Sequence, residues 1–266
     1  MTKELKYAVL IDADNTSFQY FEKVFDLITD EGIVTHRKIY GDWTGNKLKR
    51  YKELILNYSL NAIQQFEYTK GKNSTDSAMI IDAMDILYRD NVDGFCIVSS
   101  DSDFTKLASR LRESGKNVIG MGRQQTPKAF VAACNEFKYL DIDSSAIKTE
   151  TAETKEKKKT PSKNKETKET VSSDQSLTPI EEIKEYIRKI VEEKSDGAGW
   201  LLASQLGEIM IKKHPDFDPK HYGHKKLAGL LESLGFVTKK ERNPNNTANP
   251  NGLEVFVKIK EQEVIK

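Results

Sequence analysis

The sequence predicts an α/β fold, a mainly parallel sheet with helices on both faces, followed by a smaller winged helix-turn-helix domain. Three observations carry this expectation. Short continuous apolar runs such as YAVLI (7–11) and GFCIV (94–98) alternate with helical patterns through the first 147 residues, the rhythm of strands buried on both faces. Composition then breaks: residues 148–176 are dominated by Lys, Thr, Glu and Ser, with no aromatic, and such a stretch cannot bury enough apolar area to offset its ordering entropy. Beyond it, three amphipathic stretches precede two β-rich runs joined by a polar loop. The expected organisation is therefore an α/β domain over 1–147, a flexible linker over 148–176 and a winged-helix domain over 177–266.

The elements follow in order. YAVLI is a strand, and 18–31 is a helix stopped by Gly32. A strand is expected near 36–41, a helix over 47–58 and a strand over 61–68. Residues 76–89 are helical, with Met79, Ile80, Ala83, Met84 and Leu87 at helical spacing. A buried strand over 94–100 leads to a helix over 104–114, stopped by Gly115, and to a strand over 117–122. In the tail, a helix over 179–193 opens on proline, a second over 200–213 ends in His-Pro, and a third over 219–234 has Gly235 as a C-cap candidate. The segment FVTKKERN…GLEVFVKIK reads as a hairpin.

Composition excludes several classes. No apolar run approaches the roughly 20 residues of a membrane span, and MTKELKYAVLID lacks a signal-peptide pattern. Two cysteines, Cys96 and Cys134, build neither a disulfide framework nor a Cys-type zinc site and read as small buried residues. A soluble, cytoplasmic protein is expected. The chain holds 42 Lys and Arg against 41 Asp and Glu, a net of +1. That near-neutral total argues against nucleic acid only if charge is spread evenly. It is not, since the first 147 residues are net −2, the linker +2 and the tail +1.

In an open parallel sheet, ligands gather beyond the carboxyl ends of the strands. After YAVLI comes Asp12-Ala13-Asp14-Asn15-Thr16, and after GFCIV comes Ser99-Ser100-Asp101-Ser102-Asp103. Asp76 opens a helix after KGKNSTD. Alone, Asp76 is a helix cap and Asp12 a turn residue. Together, carboxylates converging on one sheet edge repel one another and lose hydration, which a divalent cation resolves. An oxygen-only donor set suits Mg²⁺ or Mn²⁺, and such ions activate water and stabilise a phosphodiester in flight. A rival lies in the same residues: Asp12 to Thr16 also fit the DxDxT pattern of haloacid-dehalogenase-like phosphatases. There Asp12 would be a nucleophile and Asp101 with Asp103 would complete the Mg²⁺ site, leaving Asp76 without a role.

Basic residues lie close by in sequence. Lys47, Lys49, Arg50 and Lys52 cluster with Trp43 and Tyr51; Lys70 and Lys72 precede Asp76; Arg123 and Lys128 follow the fifth strand. On the sheet's carboxyl edge they would hold a phosphate backbone beside the acids. Lys47 to Lys52 equally read as a solvated helix face.

The segments LIDADNTSFQYF, IYGDW, KGKNSTDSAMIIDAMDILY, GFCIVSSDSDFTKLASRLRESGKNVIGMG and TPKAFVAACNEFKYLD together resemble the NYN domain, of the LabA-like group within the PIN-like nucleases, over roughly 6–142. The resemblance implies a Mg²⁺- or Mn²⁺-dependent ribonuclease whose metal site is Asp12, Asp76, Asp101 and Asp103, with Asn15 and Ser100 positioning water or phosphate. Asp14 stands where relatives vary. The tail resembles the OST-HTH, or LOTUS, domain through GWLLASQLG and PDFDPKHYGHKKL, over about 177–259. There Trp200, Leu206, Phe217, Tyr222, Leu227, Leu230 and Leu231 read as core. Lys220, His221, His224, Lys225 and Lys226 read as an exposed set opening the third helix, where a positive helix terminus suits phosphate. His214, His221 and His224 do not make a zinc site without further ligands. This resemblance implies RNA binding, with some relatives binding protein partners. The expected protein is a two-domain ribonuclease, with RNA as partner, no membrane association, and an oligomeric state that leaves a homodimer open. The alternatives are a non-catalytic RNA-binding adaptor and the phosphatase.

Overall fold

The computed structural model describes residues 4–44, 47–66, 74–142, 178–242 and 252–260. The expected linker, Lys70, Lys72 and the side chain of Lys47 lie outside that description. The first domain is a six-stranded sheet of β1 (Lys6–Asp12), β2 (Ile33–Gly41), β3 (Asn61–Gln64), β4 (Gly94–Val98), β5 (Asn117–Gly122) and β6 (Glu136–Tyr139). Their order is β3-β2-β1-β4-β5-β6, and every pairing is parallel. Its helices are α1 (Phe21–Thr29), α2 (Tyr51–Asn57), α3 (Ser74–Arg89), α4 (Thr105–Glu113) and α5 (Lys128–Ala133).

Both faces of the sheet are buried, as the unbroken apolar runs require. Tyr7, Val9 and Ile11 of β1 point to one side with Cys96 and Val98 of β4, where Phe21, Val24 and Ile28 of α1 and Tyr51 of α2 cover them. Ala8, Leu10, Phe95 and Ile97 point to the other side, against Met79 and Ala83 of α3, Leu107 and Leu111 of α4 and Phe130 of α5. The chain moves outward from β1 to β3, then returns to lay β4 beside β1. That reversal leaves a crevice at the carboxyl ends of β1 and β4, where open α/β sheets bind ligands.

The second domain packs α6 (Ile180–Lys194), α7 (Ala203–Lys213) and α8 (Leu227–Ser233) against an antiparallel sheet of β7 (Leu201–Leu202), β9 (Leu253–Lys258) and β8 (Val237–Arg242). Ile183, Ile187, Leu206, Met210, Leu230, Leu231 and Val257 form its core. It meets the first domain at the edge strand. The Phe137 amide donates to the Pro215 carbonyl at 2.7 Å, and the Tyr139 hydroxyl donates to Asp216 Oδ2 at 3.2 Å. A donor on an otherwise open edge is thereby satisfied. Lys23 closes the end of the first domain, its Nζ donating to the carbonyls of Tyr139, Leu140 and Ile142 at 2.8–3.0 Å. Among the described residues no helix is long and apolar enough to cross a membrane.

Several boundaries differ from expectation for local reasons. The expected helices over 18–31 and 47–58 each begin with a 3₁₀ turn, Phe18–Tyr20 and Lys47–Arg50. The expected third tail helix is two pieces, a 3₁₀ turn Pro219–Tyr222 capped by Asp218, then α8. Gly223 between them has φ 84°, which L side chains rarely adopt. The second tail helix starts at Ala203 because Leu201 and Leu202 pair with β9. The helix α5 and strand β6 were not expected as separate elements, being only 6 and 4 residues long.

Gly94 is among the glycines that sit where the sheet permits no side chain. A Cβ at Gly94 would stand 2.5 Å from a Tyr7 ring carbon and 2.6 Å from the Asn117 carbonyl, and Asn117 Nδ2 holds the Tyr7 hydroxyl at 2.7 Å. Gly94→Ala is expected to destabilise the first domain by about 1–3 kcal/mol through overpacking, read as a lower urea midpoint. An unchanged midpoint would show that the strand junction yields freely.

Candidate functional site

Asp12 is the last residue of β1 and is fully buried. A bare carboxylate there would be costly, so the chain surrounds it with donors. Its Oδ1 accepts from the amides of Asp14 at 3.0 Å and Asn15 at 3.2 Å. Its Oδ2 accepts from Asn15 Nδ2 at 2.8 Å and Ser99 Oγ at 2.9 Å. Burial pushes its proton affinity up and these donors pull it back. Ser99 Oγ accepts in turn from the Asp101 amide at 3.0 Å, and Asp101 Oδ1 accepts from the Asp103 amide at 2.9 Å. Thr16 adds a strut, its hydroxyl donating to the Val98 carbonyl at 3.1 Å. The loops after β1 and β4 are thus laced together.

Asp76 lies in the first turn of α3 and is 7 % exposed. Its carboxyl is pushed up to about 7, first by burial, then by the charges of Asp12, Asp101, Asp103 and Asp14. The four expected acids therefore share one region, and Asp14 joins them as a fifth. Thr75 Oγ1 donates to Asp14 Oδ2 at 3.1 Å, fixing the start of α3 to the loop after β1. The DxD spacing was the signal for Asp14, because two acids in one tight turn can serve the same crevice. Ser99 touches Asp12, whereas Ser100 Oγ accepts from the Arg123 amide at 2.9 Å and positions the loop after β5.

Among the described residues, no three His, Cys, Asp or Glu side chains are gathered tightly enough to enclose an ion. All four lone-pair positions of Asp12 already have donors, so an ion bound to it directly would displace one of them. The remaining acids suit a different ion environment. The donors are oxygens, the set is open on one side, and Asp76 bears repulsion from four other carboxylates. A divalent cation that keeps several waters and uses one or two carboxylates fits such a set; a closed tetrahedral site does not.

The basic residues divide. Lys49, Arg50, Lys52 and Lys128 are exposed, and Arg123 is half-buried, with its Nε buried and unpartnered. In the tail, Lys220, Lys225 and Lys226 are exposed, as expected, and His224 is half-buried. His221 departs from expectation. Its ring lies 5.4 Å from that of Tyr139, its Nδ1 is 3.1 Å from the Asp216 carbonyl, and burial lowers its proton affinity. It packs at the domain contact and is not part of an exposed cationic set. Nor do these residues together open one helix: Lys220 and His221 lie in the 3₁₀ turn, and only Lys226, as the N-cap, adjoins α8.

Comparison with known proteins agrees with this architecture. The NYN domain model matches residues 6–141 and the OST-HTH/LOTUS domain model matches residues 178–248. The uncharacterized protein MJ0482 of Methanocaldococcus jannaschii is 26 % identical over 126 residues, 46 % of this chain and 49 % of that protein. The chain therefore spans about half the length of that curated relative. A crystal structure of a protein of unknown function, VPA0982 from Vibrio parahaemolyticus, is similar with a TM-score of 0.46 and 19 % identity, over 53 % of this chain and 96 % of that one. The chain belongs to the NYN domain family, of the PIN-like nuclease superfamily, and carries an OST-HTH/LOTUS domain behind its nuclease-type fold.

Proposed function

We propose that this protein is a divalent-metal-dependent ribonuclease whose C-terminal domain captures RNA. The observation that carries the proposal is the set of five carboxylates at the switch point of the sheet, with Asp76 driven up to about 7 first by burial and then by the charges of the other four. A structural role alone does not account for that repulsion, whereas binding a cation beside a phosphodiester does. Asp76, Asp101 and Asp103 would hold the ion, and Asp12 would join them at the expense of one donor or act through water. When bound, such an ion supplies an activated water and offsets the charge of the phosphodiester. Asn15 holds Asp12 and the turn behind it; Ser100 and Arg123 shape the far wall and present a guanidinium to phosphate. Lys49, Arg50, Lys220, Lys225 and Lys226 would carry the backbone. Lys47, Lys70 and Lys72 belong to the same proposal from sequence alone, as does a cytoplasmic location.

The decisive experiment uses the full chain with labelled single-stranded RNA and Mn²⁺ or Mg²⁺. Parent protein should cut, and Asp101→Asn should lower the rate by about 100-fold or more, the scale of removing one charge-stabilising group from such a site. Tight binding without cutting in either metal would favour the adaptor. Phosphate release from a small monoester with RNA intact would favour the phosphatase.

Asp76 gives a pH signature in the absence of metal. Its folded-state pKa, about 7, lies above its ordinary value of 3.8, so the folded state holds the proton more tightly than the unfolded one. The stability this contributes is fully present below the ordinary value and is lost as pH rises through 7. With a chelator at pH 8, Asp76→Asn should therefore melt higher than the parent, by roughly 5 °C, with the gap closing toward pH 5. A gap independent of pH would refute the electrostatic account.

The capture role is tested by charge. Lys225→Glu with Lys226→Glu should weaken binding of single-stranded RNA about tenfold at 0.1 M salt and flatten the salt dependence by about 1.4 log units per log unit, roughly 0.7 per lost phosphate contact. Unchanged affinity would remove the second domain from RNA capture.

A further inference from the structure

The loop from Asp12 to Thr16 runs into the 3₁₀ turn Phe18–Tyr20, and the first ring of that turn stands out of the protein. Phe18 is 39 % exposed. Its ring meets Tyr51 edge to face, with centroids 6.3 Å apart, and Trp43 meets the same Tyr51 ring at 6.3 Å. The Arg50 guanidinium lies over the Phe18 ring, 5.6 Å from its centroid, and both Arg50 and Lys49 are exposed. This wall is fixed to the acid-bearing loop. The Tyr51 hydroxyl donates to the Thr16 carbonyl at 2.5 Å and lies 3.4 Å from the Ala13 carbonyl, while Thr16 is itself bonded to β4.

An exposed ring with a guanidinium over it, tied through Tyr51 to the acid-bearing loop, offers a flat apolar face and a positive charge together. Aromatic rings and guanidinium planes are the surfaces on which proteins stack unpaired bases, and the guanidinium also attracts the phosphate that follows the base. We propose that Phe18 and Arg50 form a base-stacking subsite. It holds one unpaired nucleobase beside the phosphodiester presented to the acids, and so selects single-stranded over duplex RNA. A base inside a duplex has both faces occupied and cannot enter. The subsite rests on the ribonuclease proposal above and adds to it a preference that the acids alone do not provide.

Binding of single-stranded RNA carrying 2-aminopurine reads the stack directly, because stacking quenches its fluorescence. The full chain is used in the Asp101→Asn background with Mg²⁺, so that the RNA stays whole. The position of the 2-aminopurine is scanned along the strand. Quenching at one position is expected with Phe18 in place and with Phe18→Trp, and should fall several-fold with Phe18→Leu, which keeps apolar packing on Tyr51 but removes the π-face. The affinity ratio of single-stranded over duplex RNA should fall about tenfold in Phe18→Leu, the scale of one base–aromatic stack. Tyr88→Ala, an exposed aromatic change on α3, should alter neither. Equal quenching with and without Phe18→Leu, or no quenching at any position, overturns the subsite. Cleavage by the parent is measured separately. If the parent cuts while Phe18→Leu changes nothing, only the subsite falls; if the parent cuts in neither Mn²⁺ nor Mg²⁺, the ribonuclease proposal falls while the binding measurement still decides the subsite.

Discussion

The buried carboxylate of Asp12 is the constraint on which the rest of the site depends. Burying it without partners would cost several kcal/mol, and the chain meets that cost with four donors, two from its own turn, one from Asn15 and one from Ser99. These bonds also transmit position. Ser99 receives the Asp101 amide, and Asp101 receives the Asp103 amide, so the placement of each acid fixes the next. The loops after β1 and β4 belong to strands brought together only by the crossover from β3. A charge at their junction converts that topological fact into a defined local geometry. The acids are therefore organised by the fold's own hydrogen bonds, and organisation in advance of binding is what an electrostatic site needs.

The same arrangement explains why the acids do not behave alike. Asp12 is the most buried, yet its donors offset much of its desolvation. Asp76 has burial and four neighbouring charges acting in one direction, and so becomes the group that most needs a cation or a proton. Asp42, at the end of β2, is the reverse. Thr44 and Gln64 donate to it, and its carboxyl is held below the ordinary range. It locks the start of the loop after β2 to the end of β3. Carboxylates on one sheet edge thus separate, by burial and by their donors, into an anchor, a group held protonated more readily than usual, and a structural clamp.

Much of this was legible in sequence because it is local. The strands β1, β4 and β5 are short apolar runs with little alternative, and β5 falls at its expected bounds. The acids after β1 and β4 follow from one rule about the edge of a parallel sheet. What was hidden is what sequence spacing does not encode. IVTHRK at the start of β2 alternates exposed and half-buried residues, since β2 is covered well only near Tyr40, and without a buried run the strand was expected only from about residue 36, although Ile33, Val34 and Thr35 are β-branched. The choice of Ser99 over Ser100 as the partner of Asp12 depends on which way the chain turns after Val98. His221 looked exposed because a 3₁₀ turn and a left-handed glycine replaced a continuous helix, and because its burial comes from Tyr139, 82 positions away in the other domain. The net charge of +1 says little for a related reason: it is a sum that does not record which acids the fold gathers at one edge.

The contact between the domains bears on how RNA would reach the acids. The second domain touches β6, and β6 lies two strands from β4. At about 4.8 Å per strand, that is a lateral offset of about 10 Å along the sheet, less than the span of three nucleotides. On the ribonuclease proposal, an RNA strand leaving the switch point along the sheet would reach the edge strand that meets the second domain within about that distance. Among the described residues the contact includes the Phe137 amide, the Tyr139 hydroxyl and the His221 ring. On the ribonuclease proposal, the second domain need not deliver RNA by a large excursion. It would extend the nuclease surface sideways, while Phe18 and Arg50 border the acids from the side of α2. The nuclease would then lie in the middle of its RNA-binding surface, with specificity distributed on both flanks and the chemistry fixed at the switch point between them.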